Sequence, residues 1–441
     1  MKTLLVSKQT VAMRNFLLNN RVNFLFFLTS FFCVAYVIGL ENIPFQNTLW
    51  LYEGESSYHQ LAWHFFKNDI WRFPLGSNPN YGDEFGSSIV WTATMPILAL
   101  PFKLFKPFIS GNFQFFSFWY FICFYLQLYF SFKIIKKFTN STPYSLVGSF
   151  FFLIAPIFIY RLGFHVSLIS HWLLLWALYL ALTNKINEKK LSWLALLIIS
   201  ALIHFYFTAV IIAIYCLLRL SNFISKEENF FELIKDFFIF TTSLLIVLYV
   251  VGYFEIRMAD SLAMGFGYYK LNLLSIFDSF NTADGVAWSR FLTDIKLSQG
   301  EEIEGFNYLG SGQILMILLA FILFLKNYKT NLISIKNNNK IKVFILISLF
   351  LTCWSLTNKI SFGSITLFEI PLNKYILAAL SGIKNTGRNF WIVNYFLLFL
   401  SIIIIFKSFK EKKAILIIIS FFIIQSTDMS PGITKHINLY K

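Results

Sequence analysis

The chain has 441 residues, of which 57% are hydrophobic and only 13% charged, which excludes a soluble domain and defines a polytopic membrane protein. A formal net charge of +15 would suggest nucleic acid in a soluble protein, but in so apolar a chain the excess Lys and Arg is first explained by cytoplasmic loops. Cys33, Cys123, Cys216 and Cys353 each lie inside an apolar run with no CxxC pair, so neither a disulfide framework nor a zinc site is indicated.

Lys2, Lys8, Arg14 and Arg21 precede the first apolar run, and no small-residue cleavage site follows Leu40, so the first span is expected to be uncleaved. With roughly 20 residues per span, spans are predicted near 22–40, 113–132, 144–160, 165–182, 191–203, 204–220, 237–254, 312–326, 343–357, 389–406 and 414–427, about 11 in all. The apolar stretch 87–105 is predicted to be a helix lying in the outer interface, because a span there would place Lys133, Lys136 and Lys137 outside. With the N-terminus inside, every short inner loop is basic. Acidic residues then collect on the outer face, in loops 41–112 and 255–311, segment 358–388 and tail 428–441. The fold class is all-α, a single polytopic membrane domain over residues 1–441 with interfacial helices in the first external loop. It sits in the cytoplasmic membrane, with the N-terminus inside and the C-terminus outside.

Ionisable groups at the membrane edge are functional candidates, because burying them costs several kcal/mol unless they are paired or hydrated. If the stretch after Leu51 is helical, Glu55, His59 and Trp63 recur every four residues and share a face. A partly desolvated carboxylate beside an imidazole suits a general base; an amphipathic interfacial helix anchored by aromatic rings is the plainer reading. Asp83 and Glu84 lie in a turn-rich loop bent by Pro79, Gly82 and Gly86, where adjacent carboxylates could bind a divalent metal or a sugar hydroxyl, or simply occupy a turn. No cofactor is certain. Arg161, His165 and His171 gather where a span ending at Tyr160 gives way to one beginning at His165, with His204 and Tyr206 at the outer end of a later hairpin; the alternative for each His is a helix-packing hydrogen bond. Lys384 and Arg388 precede the span at 389 and oppose the positive-inside preference, so an anionic partner such as a lipid phosphate is expected, with snorkelling as the alternative. The external loop adds Gly265-Phe-Gly and the segment from Glu304 to Gly310, aromatic and Gly-rich in the manner of loops that close over a sugar or lipid head.

Taken in order, Gly54-Glu55 with His59 and Trp63, Trp71 to Gly76, Asn78 to Gly82, Ser88 to Thr92, Arg161, His165, His171-Trp172, His204 to Tyr206, Gly265 to Gly267, Glu304 to Gly310 and Gly387 to Trp391 resemble the GT-C superfamily of membrane glycosyltransferases, and more narrowly a bacterial membrane-protein family within it. The resemblance covers nearly the whole chain. It implies a GT-C-like helical bundle and sugar transfer from a polyprenyl-phosphate donor to a glycan or lipid-linked acceptor in the cell envelope, with inversion at the anomeric carbon. It makes Glu55 the catalytic base with His59 orienting it, and makes Asp83, Glu84, Arg161, His165, His171, His204, Tyr206, Glu304, Lys384 and Arg388 substrate-binding candidates. Two departures stand out. Gly54-Glu55 replaces Gly-Asp, and Thr92-Ala93 replaces Thr-Asp and so removes an acid. The rival functions are a secondary transporter or lipid flippase, which would use the same His and Arg as a path, and a non-catalytic subunit of a glycan-assembly complex. Against transport stand the lack of an inverted repeat and of any acid in mid-span.

Overall fold

The computed structural model describes residues 2–52, 56–81, 87–109, 111–163, 165–183, 186–255, 266–281, 285–329 and 338–438. Among these, Asn20–Ile38, Phe116–Thr139, Val166–Thr183, Phe205–Ile224, Phe230–Val250, Asn339–Leu356 and Thr386–Ser408 are long and apolar enough to cross a membrane. The pair Thr142–Phe151 and Pro156–Leu162, bent by 56°, raises seven candidates to eight if it counts as one span. The other three predicted spans fall on Lys190–Ala201 and Ser311–Lys326, which are shorter, and on Glu411–Asp428, whose ends are charged. The chain is therefore mostly helical and of the multi-pass type.

Local chemistry sets these boundaries. The second span runs past its predicted end to Thr139, since Lys136 and Lys137 suit the negative end of a helix and Asn140 closes it in the left-handed region at φ 54°. Pro156 restarts the bent pair at a first-turn position that needs no N–H donor. One contiguous hydrophobic cluster extends from Val22 to Met429. A polar seam crosses it: Gln127 donates to Tyr395 Oη at 3.0 Å, His171 Nδ1 lies 2.8 Å from the same oxygen, and Gln313 donates to Asn394 Oδ1 at 2.7 Å. Such bonds in an apolar bundle fix which helix faces meet.

Two expectations change. The predicted helix at 87–105 is helical only over Pro96–Leu104. Residues 88–95 form turns instead, with Ala93 and Met95 in the left-handed region at φ 52° and 51° and Thr94 N–H bonded to Ile89 O at 3.1 Å. The tail is not a plain extension: Ser430–Asn438 is a helix, seated with Gly432 so close to the Trp288 ring that an added Cβ would lie 2.3 Å from it. At the preceding helix end, buried Asp428 accepts from Tyr308 Oη at 2.6 Å, from Ser311 N–H at 2.9 Å and from the Ser289 hydroxyl, tying the loops at that end together.

Candidate functional site

Three segments distant in sequence meet at one end of the bundle. Arg161 lies in the tight turn Tyr160–Gly163, Arg388 in the 3-10 helix Thr386–Phe390, and Glu304 ends the short helix Gln299–Ile303, which a Ser298–Glu301 capping box begins. Arg161 Nη2 donates to Glu304 Oε2 at 2.9 Å and Arg388 Nε donates to the same oxygen at 2.7 Å. Two glycines make the meeting sterically feasible. A Cβ on Gly387 would lie 2.7 Å from Gly305 Cα, and one on Gly305 would lie 2.1 Å from Lys270 O, so backbones touch where any side chain would intrude. Asn307 Nδ2 clamps the contact by donating to Gly305 O at 2.9 Å and Gly387 O at 3.1 Å.

Burial alone would raise the Glu304 carboxyl, but the Arg161 and Arg388 charges hold it well below the usual carboxylate range. The triad therefore keeps one net positive charge. Aromatic rings brace both guanidinium groups: Arg161 lies 4.6 Å from the Tyr160 ring centroid and 5.1 Å from that of Trp391, and Arg388 lies 4.5 Å from that of Tyr206. Each guanidinium has five N–H donors in a planar fork, and Arg161 Nε is buried without a partner among the described residues. A multi-oxygen anion is the chemistry that completes such a set.

Histidines ring the triad, and their hydrogen bonds assign tautomers. His59, on the helix Ser56–Asn68, has Nδ1 2.7 Å from Thr92 O. A carbonyl only accepts, so Nδ1 carries the proton, and Nε2 is a lone pair in the neutral ring and a second donor in the charged one. Its ring centroid is 6.2 Å from that of His165. His204 caps the helix Phe205–Ile224 by accepting the Tyr206 N–H at Nδ1, 3.2 Å away, which leaves Nε2–H as its donor. Tyr206 Oη in turn accepts the Asn385 N–H at 3.2 Å.

The structure thus brings together Arg161, Glu304 and Arg388, with Tyr206 against Arg388 and His204 against Tyr206, and pairs His59 with His165. His171 stands behind this group, stacked on Trp391 at 4.5 Å, fully buried and bonded to Tyr395; it positions the ring under Arg161 instead of lining the site. Lys384 is exposed, and the ion pairs to Glu304 among the described residues come from Arg161 and Arg388. Glu55, Asp83 and Glu84 lie outside the described residues, as does Gly265. Sequence alone assigns no role to Tyr160, to the Thr92 carbonyl that orients His59, or to Gly305 as the contact for Gly387; the Gly305 and Gly387 motifs are visible, but their mutual contact has no local signal. Among the described residues, no group of three or more His, Cys, Asp or Glu is arranged to hold a metal.

The helical fold and this cluster define a multi-pass membrane protein with a charged site at one end of the bundle. The chain belongs to the family described as Domain of unknown function (DUF6311), whose model matches residues 27–430. No curated protein and no solved structure matches it.

Proposed function

We propose that the protein is a glycosyltransferase of the GT-C type, moving a sugar from a polyprenyl-phosphate donor to a cell-envelope glycan or lipid-linked acceptor, with inversion. The observation that carries this reading is the convergence of Arg161 and Arg388 on the buried Glu304. Glu304 holds both guanidinium groups in place without neutralising them, so their remaining N–H donors can take up the negative charge that grows on a departing phosphate. His204 Nε2–H adds a neutral donor beside the Tyr206–Arg388 stack.

On the acceptor side, Glu55 takes the hydroxyl proton as general base. His59, four positions further on in the helix Ser56–Asn68 and fixed by Thr92 O, in its charged form orients that carboxylate by donating from Nε2. Attack at the anomeric carbon passes through an oxocarbenium-like state, and a single base without a protein nucleophile gives inversion. Asp83 and Glu84 bind acceptor hydroxyls.

In the proposed topology the helices Lys190–Ala201, Ser311–Lys326 and Glu411–Asp428 complete a bundle of about 11 spans. The N-terminus is cytoplasmic and the site faces the outside of the cytoplasmic membrane. The test is release of polyprenyl phosphate from a polyprenyl-phosphate sugar by protein in nanodiscs. Release that Arg388→Ala abolishes supports the reading; a protein that never cleaves the donor, or that moves it intact across a bilayer, refutes it.

A further inference from the structure

A second polar cleft, of about 590 Å³, lies beside the triad and is not used by the mechanism above. Its floor is the buried Lys270–Glu301 ion pair, where Glu301 also accepts from Asn272 Nδ2 at 3.1 Å and Lys270 donates to Ser361 Oγ at 2.7 Å. Its roof is the antiparallel pair of strands Lys359–Phe362 and Ile365–Glu369. Cross-strand register sorts this hairpin into two faces. Lys359 opposite Glu369 and Ser361 opposite Thr366 line the cleft, whereas Ile360 opposite Phe368 and Phe362 opposite Ile365 form the other face. Phe362, Ile365 and Phe368 on that face are all exposed, and Leu367 at the register shift is exposed too.

An apolar face this open needs a cover, and its position supplies one: the strand at Lys359 begins three residues after the candidate span Asn339–Leu356 ends. The cleft itself balances its charges, with Lys270 against Glu301 and Lys359 against Glu369, so unlike the arginine triad it is no anion trap. What it offers is hydroxyl chemistry. Ser298, Ser364 and Thr366 line it, the exposed Tyr268 ring lies so close to Gly300 that an added Cβ would meet its Cδ1 and Cε1 at 2.6 Å, and Asn358 Oδ1 is a buried acceptor with no partner among the described residues.

We infer that this cleft binds a neutral sugar unit carried on a lipid, with the hairpin's apolar face seated in the adjacent leaflet and its polar face closed over the sugar. This rests on the transferase reading for the role of the sugar as acceptor, but the binding itself does not. Gly387 N–H donates to Tyr269 O at 3.0 Å, so the stretch of chain that carries the cleft residues Tyr268 and Lys270 is bonded to the segment bearing Arg388.

The test is saturation-transfer NMR on the protein in nanodiscs, with octyl glucoside, octyl mannoside, octyl galactoside, their methyl counterparts and octyl phosphate as probes and empty nanodiscs as control. Ring-proton saturation is expected for at least one octyl glycoside, weaker for its methyl counterpart. Tyr268→Ala and Glu369→Gln, both at partly exposed positions, are expected to weaken it about tenfold or more without changing monodispersity or octyl phosphate binding. Unchanged glycoside binding in both variants, tighter binding of octyl phosphate than of every glycoside at this cleft, or no saturation by any glycoside overturns the inference. Glycoside binding lost in these variants by a protein that never cleaves a donor would leave the cleft assignment standing and remove only the transferase reading.

Discussion

Arg161 and Arg388 donate to the same oxygen, Glu304 Oε2, although one guanidinium comes from the last turn of a bent helix pair and the other from the entry to the span Thr386–Ser408. Two cations held on one buried carboxylate oxygen are poised for a second anion and intolerant of losing the first. Removing the Glu304 charge leaves two buried guanidinium groups facing each other. Glu304→Gln is therefore expected to destabilise the protein by about 3–5 kcal/mol, read as a fall in thermal unfolding temperature in detergent, whereas Arg161→Lys keeps the charge and should cost less. Equal unfolding temperatures for wild type and Glu304→Gln would show that the triad contributes nothing to stability.

Gly387 tests the steric half of the same arrangement. Gly387→Ala must push a methyl into Gly305 Cα and Glu304 O, which in close-packed backbone costs about 1–3 kcal/mol and moves Arg388 off its carboxylate. Reduced donor cleavage together with reduced stability is the expected pair of results. A variant with wild-type values of both would mean that the two loops do not need to touch.

Asp278 gives a pH-dependent prediction with a definite sign. Burial pushes its carboxyl up to about 7, against backbone N–H donors from Ile295 and Phe280 at 3.2 Å each. Its folded pKa thus lies above the unfolded value of about 3.9, so the folded state holds the proton more tightly. The contribution to stability is full below about pH 4 and is lost as pH rises through about 7. Asp278→Asn keeps an acceptor for both N–H groups and removes the titration. The unfolding temperature of wild type should therefore fall relative to that of Asp278→Asn between pH 4 and 7, and a constant difference over that window would contradict the assignment.

Ala93 stands at φ 52°, a conformation that costs a residue with a Cβ roughly 1–2 kcal/mol and that Gly adopts freely. Ala93→Gly is expected to stabilise the protein by about 0.5–1 kcal/mol after the larger entropy of the unfolded glycine is subtracted. A lower unfolding temperature for this variant would mean that the Ala93 methyl, which is buried, contributes more by packing than its backbone loses.

The membrane class and most of the helices were legible in the sequence because an apolar run of span length has no stable place in water. The ends were less so. The second span's basic end and the turns before Pro96 follow from helix-end charge and left-handed backbone, which hydropathy does not report. Arg161, Glu304, Arg388 and Tyr206 could be named singly from charge at membrane edges, yet their partnership depends on the Gly305–Gly387 contact, a long-range packing event with no periodic signal. His171 was legible as a polar group in an apolar segment but not as the support behind Trp391, since the sequence does not say which side of a ring faces the site. The 359–369 hairpin gives no signal of its own because an amphipathic strand of four or five residues is too short to stand out in so apolar a chain.

The central claim is that Arg161 and Arg388 stabilise a departing phosphate while Glu55, steadied by His59, removes the acceptor proton. Its most direct test is a single-turnover assay of polyprenyl phosphate release, run alongside donor binding, for wild type, Glu55→Gln and Arg388→Lys. The account predicts that Glu55→Gln binds donor as wild type does but turns it over at least about 100-fold more slowly, and that Arg388→Lys loses both binding and turnover. A Glu55→Gln protein that transfers sugar at the wild-type rate would contradict it.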